Sequence, residues 1–190
     1  MKLRAKPMLR IVLCLAGVLA IPALAFDPGT RPVAAQGTLQ TAFSPWENVE
    51  QLIVDEIGKA KSQVLVQAYL LTSKRISSAL VASHRRGVAV QVMVDAEQTE
   101  KARSSKARDL ARAGIPVWLE TKYQNAHNKV IVIDASSSRA TVITGSYNFT
   151  WTAQHRNAEN VLIARDNPDL AARYAFNWNR HRADAKPLTP

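Results

Sequence analysis

Apolar residues recur along the chain with two different periods, one typical of strands and one typical of helices. Runs of strand length predict strands at residues 38–43, 64–70, 88–94, 117–120, 130–134, 140–144 and 161–164. Helical spacing predicts helices after Ser44, over residues 74–86, over residues 99–113 and from Asn167 onward. Helices alternate with strands first and strands cluster later. This order predicts an α/β domain whose mixed β-sheet is flanked by helices on both faces.

Capping residues predict where several of these helices begin and end. Ser44 is predicted as an N-cap, Pro45 as the first helical residue and Glu47 as the residue that closes a capping box. Gly87 is predicted to end the second helix and Gly114 to end the third. The folded domain is therefore expected to cover residues 38–184, with a tail at residues 185–190.

The first 25 residues have the order of features that marks a secretory signal. Four basic residues precede an apolar run at residues 11–21, and Ala23-Leu24-Ala25 offers a small-x-small cleavage site. The apolar run is too short to cross a bilayer, which takes about 20 residues. The alternative to a cleaved signal is an uncleaved anchor. Residues 26–37 are expected to form a flexible leader. The mature protein is expected to be periplasmic or secreted, and the single cysteine, Cys14, would leave with the signal.

The charge balance favours a partner that carries phosphate. Removal of residues 1–25 takes away four basic residues and no acidic one, so the net charge falls from +10 to +6. A basic domain of this kind is suited to nucleic acid or to anionic lipid headgroups. The alternative is a soluble cationic surface without a partner. The third predicted helix is rich in Lys and Arg, but these are spread around its cylinder and by themselves indicate a solvated helix.

Candidate chemistry is concentrated in two short segments, at residues 127–134 and 145–149. Side chains two residues apart on a strand share a face, so His127 and Lys129 point the same way. Ser146 and Asn148 do so as well if the following strand extends that far. An imidazole, an ammonium, a hydroxyl and an amide suit a phosphoryl group, because one can attack while the others stabilise its oxygens. Asp134 faces away and is assigned to orientation or folding.

These segments carry a family resemblance. The order H-x-K-x-x-x-x-D followed by G-S-x-N resembles the signature of the phospholipase D superfamily, and the chain is similar to its small endonucleases with one motif per chain. The resemblance extends from about Phe43 to the last helix and includes Asn157-Ala158-Glu159-Asn160. A lone H-x-K pair usually marks two ordinary surface residues. Here H-x-K, G-S-x-N and N-x-E-N follow one another in the family's order, which argues against a chance match. The stretch from Asp134 to Gly145 is longer than usual by an even number of residues, which leaves the strand faces unchanged.

The resemblance implies a metal-independent phosphodiesterase without a cofactor. In that family a histidine forms a phosphohistidine, a second histidine protonates the leaving oxygen, and water hydrolyses the intermediate. Carried to this sequence, His127 is nucleophile or acid. Lys129 and Asn148 are catalytic residues that also bind the phosphate, helped by Ser146. Glu159 would orient a catalytic imidazole. The residues themselves agree with the absence of a metal site, because the histidines are scattered and no H-E-x-x-H occurs.

Two histidines are needed, but only one such motif is present. His84, His155 and His181 lack a lysine two residues later and are predicted to be surface or structural histidines, although His155 lies close to the motif. The second catalytic histidine is therefore expected from another copy of the chain, which predicts a homodimer with the site at its interface.

Three functions remain open at this point. The first is a nuclease of low sequence preference, favoured by the net charge, by Arg85-Arg86, by the basic third helix and by Lys122. Trp151 and Tyr147 could stack on bases there, although core packing is the commoner use of such residues. The second is a lipid headgroup hydrolase of the phospholipase D type, which would use the same catalytic residues. The third is a nucleic-acid-binding module without activity, against which the intact set of site residues argues.

Overall fold

The structure is a computed structural model that describes residues 31–189. The predicted signal at residues 1–25, its Cys14 and the first part of the leader, residues 26–30, lie outside the described residues. The unit described below begins at Val33.

Strands and helices alternate through most of this unit. Their order is β1 (Thr38–Ser44), α1 (Val49–Lys59), β2 (Gln63–Ala68), α2 (Lys74–Arg85), β3 (Ala89–Asp95), α3 (Ala96–Lys101), α4 (Ala107–Arg112), β4 (Val117–Glu120), β5 (Lys129–Ile133), β6 (Thr141–Gly145), α5 (Trp151–His155), β7 (Glu159–Arg165), α6 (Pro168–Asp184) and β8 (Lys186–Pro187).

The strands form one mixed sheet in the order β1-β7-β6-β5-β2-β3-β4-β8. Strand β3 is parallel to both of its neighbours, β2 and β4, which the helical crossovers α2 and α3–α4 permit, whereas β4 pairs with β8 in the antiparallel direction. The pairs β2–β5, β5–β6, β6–β7 and β1–β7 are antiparallel. The α/β class and the mixed sheet predicted from the sequence are confirmed.

Two apolar cores lie on opposite faces of the sheet, as the alternation along each strand requires. Val64 and Val66 of β2 belong to the larger core, beneath α1, α2, α4 and α5. Leu65, between them, belongs to the smaller core, where Trp178 of α6 is buried. Helices therefore cover both faces, as predicted. No helix within residues 31–189 has both the length and the apolar character needed to cross a bilayer.

The predicted capping box at Ser44 is wrong. Ser44 is the last residue of β1, and α1 begins at Val49, where the side chain of Asn48 accepts a hydrogen bond from the backbone N–H of Gln51. The Ser44 hydroxyl instead donates to the carbonyl of Ala153 in α5, at 2.7 Å. The local cap signal therefore lost to a hydrogen bond with a distant part of the chain.

The third predicted helix, residues 99–113, is also wrong, because the structure has two short helices there. Asp95 caps α3 by accepting a hydrogen bond from the Gln98 N–H, and α3 buries none of its residues. Helix α4 buries Ala107 and Leu110 against the sheet. The break lets α4 pack its apolar side chains while α3 stays at the surface. The short elements α5 and β8 were not predicted.

Candidate active site

Three chain segments meet at one end of the neighbouring strands β5, β6 and β7. The β5–β6 hairpin pairs Val130 with Thr144, which brings the start of β5 next to the end of β6. The β6–β7 pairing sets Gly145 opposite Val161, so that the start of β7 is the next neighbour. His127 and Lys129, Ser146 and Asn148, and Glu159 are thereby gathered at the same end of adjacent strands. The hairpin predicted through the turn at residues 136–139 is confirmed.

His127 and Lys129 form the centre of this site. His127 is exposed, whereas Lys129 is only 6% exposed. The Lys129 Nζ lies 3.0 Å from the His127 Nδ1 and donates to the His127 carbonyl at 2.9 Å. Burial lowers the pKa of Lys129 to about 8, and the charge of Glu159 opposes that shift. A buried cation is therefore held beside an accessible imidazole.

Tyr69 completes the setting of the histidine, and the sequence did not predict its part in the site. Its ring lies 4.3 Å from the His127 ring, and the Lys129 Nζ lies 4.9 Å from the Tyr69 ring centre. The Tyr69 backbone N–H donates to the Asn128 carbonyl at 2.7 Å, which continues the pairing of β2 with β5. The aromatic face stabilises the ammonium and limits the positions that the imidazole can take.

Ser146 and Glu159 are joined in a second group. The Ser146 hydroxyl donates to a Glu159 carboxylate oxygen at 2.5 Å, and the other carboxylate oxygen accepts from the Asn157 amide at 2.9 Å. The Ser146 oxygen also accepts from the Asn160 backbone N–H at 3.1 Å. None of these bonds reaches His127. In this arrangement Glu159 orients Ser146, and its predicted orientation of a catalytic imidazole stays a prediction.

Gly145 is required for this second group because two backbones approach each other closely. The Ser146 N–H donates to the Asn160 carbonyl at 3.1 Å. A Cβ on Gly145 would overlap that same carbonyl oxygen, and the residue has a φ of 157°. Only glycine fits here without displacing β7. The glycine of the G-S-x-N motif thus sets the distance between Ser146 and Glu159.

The segment after Ser146 alternates between site and core. Tyr147 is 1% exposed and packs in the larger core, so base stacking by Tyr147 is excluded and its core role is confirmed. Asn148 is half-buried between Tyr147 and Phe149, and its side-chain oxygen is buried with no hydrogen-bond partner among residues 31–189. The bond from the Phe149 N–H to the Leu70 carbonyl fixes this segment against the end of β2. The Asn148 side chain therefore holds one hydrogen-bond acceptor that the described residues leave unused.

Asp134 lies at the opposite end of β5 from His127. Its carboxylate accepts hydrogen bonds from the backbone N–H groups of Lys61, Ser62 and Gln63 and from the Ser62 hydroxyl, at 2.7–2.9 Å. Burial would raise the pKa of this carboxyl, but these donors outweigh it and hold the pKa below its ordinary value. The residue ties the start of β2 to the end of β5 and makes no contact with the site.

The other three histidines have separate surroundings. His181 lies with its Nδ1 2.5 Å from the buried carboxylate of Glu120, so its prediction as a structural histidine is confirmed. His84 sits near the C-terminal end of α2. His155 is exposed on α5, with its ring 4.6 Å from that of the exposed Trp151. Only His155 lies near the site segments in sequence.

Two basic residues considered for nucleic acid are engaged within the protein. The Arg86 guanidinium donates to the Gly58 carbonyl at 3.1 Å, and Lys122 pairs with Asp184 at 2.6 Å. Within the described part of the chain, no group of three or more His, Cys, Asp or Glu residues is placed to hold a metal ion.

Known proteins match most of the chain. The family model described as "Cardiolipin synthase, PLD-like domain" matches residues 53–181, a range that contains every predicted site residue. The protein named phospholipase D of Rickettsia conorii is 37% identical over 165 residues, or 87% of this chain and 80% of that protein. The mitochondrial cardiolipin hydrolase of Xenopus laevis is 33% identical over 139 residues, or 73% of this chain and 63% of that protein.

A solved structure gives the same match in three dimensions. Nuc from Salmonella typhimurium, described as a phospholipase D family member, superposes with a TM-score of 0.74 at 32% identity. The superposition covers 80% of this chain and 99% of that one. The match therefore extends over almost the whole of a solved chain as well as over the site segments.

Proposed function

Because the chain belongs to the phospholipase D family, we propose that it is a metal-independent phosphodiesterase, without a cofactor, that hydrolyses nucleic acid with His127 as its nucleophile. The observation that carries this proposal is the buried Lys129 ammonium 3.0 Å from the ring of an exposed histidine. A nucleophile beside a fixed cation is what an attack on an anionic phosphodiester needs, because the cation offsets the charge that develops on the phosphoryl oxygens.

The reaction would proceed in two displacements. In the first, a His127 ring nitrogen forms a bond to phosphorus while the bond to the leaving oxygen breaks, and a second imidazole gives that oxygen its proton. In the second, the now neutral second imidazole takes a proton from water as the water oxygen attacks phosphorus. The P–N bond breaks and His127 is released.

Lys129 would change partners when substrate binds. An ammonium that donates to the Nδ1 of His127 leaves the ring proton on Nε2, so that neither nitrogen has a free lone pair. A bound phosphate attracts the ammonium to its own oxygens and frees the ring for attack. The Asn148 side-chain N–H₂ group would donate a hydrogen bond to the same phosphate. Ser146, whose proton is held by Glu159, would contribute only if Glu159 gives up that bond.

The second imidazole would come from a second copy of the chain, as a homodimer with the site at its interface. The exposure of His127 just before β5 supports this, since two such sets of strand ends related by a two-fold axis can place both rings at one phosphorus. One imidazole must be neutral and the other charged, so the activity should have a bell-shaped pH dependence. The alternative donor within the chain is His155.

A lipid headgroup hydrolase is the second candidate for the same site. The names of two relatives, phospholipase D and mitochondrial cardiolipin hydrolase, favour it. Trp46 and Trp151 are also exposed, by 82% and 56%. Trp46 follows β1, which pairs with β7 at Glu159, and Trp151 lies three residues after Asn148. Exposed tryptophans suit a lipid interface as well as base stacking. If the predicted signal is used, either enzyme would act in the periplasm or outside the cell.

Substrate choice can be tested by offering purified protein plasmid DNA, RNA and phosphatidylcholine vesicles in parallel, each with excess EDTA. We expect cleavage of nucleic acid in EDTA by the wild type and none by His127→Ala. Headgroup release without cleavage of nucleic acid would replace the proposal with the lipid alternative. Activity that is lost in EDTA and restored by a divalent ion would contradict the metal-free mechanism.

The dimer can be tested by unfolding, mixing and refolding wild-type and His127→Ala chains in varied ratios. If both His127 residues serve one site, activity falls as the square of the wild-type fraction, since only dimers of two wild-type chains turn over. A linear fall, or a fully active monomer by light scattering, would place the proton donor within the same chain and make His155→Ala the next variant.

A further inference from the structure

One face of α2 lines a groove that the proposed mechanism does not use. The face consists of Lys74, Ser77, Ser78, Val81, Ala82 and Arg85, which follow the three- and four-residue spacing of a single helix face. The facing wall consists of Asp109 and Leu110 of α4 and of Lys106, the residue before that helix. The groove has a volume of about 630 Å³, within the range of sites that bind ligands.

The groove begins beside the candidate active site. The Ser73 N–H, one residue before Lys74, donates to the Phe149 carbonyl at 2.9 Å, and Phe149 follows Asn148. The Lys106 N–H donates to the carbonyl of Leu71, which itself pairs with Phe149. Arg85 is three helical turns further on, about 16 Å along α2. The groove therefore leads away from the segment that carries Asn148.

The charge along this groove is positive. Lys74 and Arg85 are exposed, and neither has an ion-pair partner among residues 31–189. Asp109 is the one carboxylate in the lining, and it is paired with Lys106 at 2.9 Å and with Arg112 at 3.3 Å. Two unpaired cations thus stand at the two ends of the groove.

The floor between these cations is apolar with hydroxyl groups at its side. Leu110 is buried and Val81 half-buried, while Ser78 is exposed. Such a surface can contact the sugars and bases of a nucleic acid while the cations contact its phosphates. None of the large apolar side chains that are exposed within residues 31–189 lines the groove; they are Leu39, Phe43, Trp46, Tyr123, Trp151 and Phe176. Nothing there suits insertion into a bilayer.

We propose that the groove between α2 and α4 binds the backbone of a nucleic-acid strand that continues out of the active site. The identity of the ligand rests on the proposed nuclease function, whereas the groove itself does not. The consequence is that long strands bind more tightly than dinucleotides, with Lys74 and Arg85 supplying the difference and taking no part in the chemistry.

The test compares the double variant Lys74→Gln/Arg85→Gln with a control that also loses two exposed cations, Arg139→Gln/Arg180→Gln. Arg139 lies in the β5–β6 turn and Arg180 on α6, on the other face of the sheet. Both pairs are made in wild type and in His127→Ala. Fluorescence anisotropy with the His127→Ala forms measures binding of a labelled strand of about 20 nucleotides, longer than typical single-strand sites of about 4–16 nucleotides.

We expect the groove variant to bind this strand about tenfold more weakly than the control near 50 mM salt. Its slope of log affinity against log salt should be smaller by about 1.4, as two lost contacts to a single strand imply. Turnover of bis(p-nitrophenyl) phosphate, which is too short to reach the groove, should stay at the wild-type level. The charge-conserving variant Lys74→Arg/Arg85→Lys should restore binding, and either single variant replaces the double variant if the latter does not fold.

Equal strand affinity of groove variant and control would overturn the proposal, as would a selective loss of binding to anionic lipid vesicles with strand binding intact. The second result would assign the groove to a membrane surface. If the wild type cleaves no nucleic acid but the groove variant still loses strand affinity, the proposed function fails and the groove proposal stands.

Discussion

Replacing Asp134 with Asn separates the folding role of this residue from the chemistry of the site. The carboxylate accepts four hydrogen bonds, three at Oδ1 and one at Oδ2 from the Lys61 N–H. Asn keeps an acceptor at one position but sets an NH₂ group against the Lys61 N–H at the other. Asn also tolerates the left-handed backbone of Asp134, whose φ is 50°. The substitution therefore changes hydrogen bonding with little backbone strain.

The magnitude follows from the change in bond type. Hydrogen bonds to a charged group contribute about 1.5–3 kcal/mol each and neutral ones about 0.5–1.5 kcal/mol, and their contributions are not additive. One lost bond and three weakened ones imply a loss of about 3 kcal/mol in the free energy of unfolding near neutral pH. That is a large part of the about 5–15 kcal/mol that stabilises a typical domain.

The pH dependence has a definite sign. The folded-state pKa of Asp134 is lowered, so its stabilisation is complete above the unfolded pKa of about 3.9 and is lost as the pH falls through the folded pKa. Urea unfolding followed by circular dichroism should therefore show a large difference between wild type and Asp134→Asn near neutral pH. The difference should shrink on acidification below pH 3.9.

Enzymatic activity, unlike stability, should change little in this variant. Asp134 and His127 are seven residues apart, on either side of β5, or about 23 Å for extended chain. Folded Asp134→Asn protein should therefore keep kcat/KM within about twofold of wild type, because the changed group lies far from the reacting atoms. Wild-type stability together with lost turnover would refute the reasoning and give Asp134 a part in the chemistry.

Three further predictions follow from single contacts. Lys129→Ala should lower kcat by about 10²–10³, as loss of one transition-state donor does. The wild-type rate should also fall above about pH 8, because Lys129 then loses its proton. Lys129→Arg should shift this fall in rate to higher pH. Gly145→Ala should lower both Tm and activity, because its methyl group would overlap the Asn160 carbonyl; an unchanged Tm would contradict the close approach. Tyr147→Phe should change the free energy of unfolding by less than about 0.5 kcal/mol, because the buried hydroxyl that it removes has no hydrogen-bond partner among residues 31–189.

The parts of the site that the sequence predicts are those held together by local pairing. His127, Lys129, Ser146 and Asn148 belong to one hairpin and the residues next to it, so strand alternation alone brings them together. Tyr69 could not be found in this way, because its contact with His127 depends on the pairing of β2 with β5, which no local pattern encodes.

The wrong predictions have the same physical origin. Ser44 has the local signal of a helix cap, but its hydroxyl bonds to Ala153, more than a hundred residues away. The run of good helix formers at residues 99–113 predicts one helix, but burial is confined to its second half, around Leu110. In both places tertiary contacts outweigh the local preference. Glu159 also has a partner, Ser146, that the family resemblance alone did not indicate.

The most direct test of the central claim is to trap the covalent intermediate. Wild-type protein is mixed with a ³²P-labelled phosphodiester, quenched at alkaline pH within one turnover, digested and mapped by mass spectrometry. The mechanism predicts a labelled phosphoryl group, still esterified to the retained alcohol, on the ring of His127, in a peptide that carries no label in His127→Ala. Label on His155, or steady turnover with no labelled protein at any time, would contradict His127 as the nucleophile.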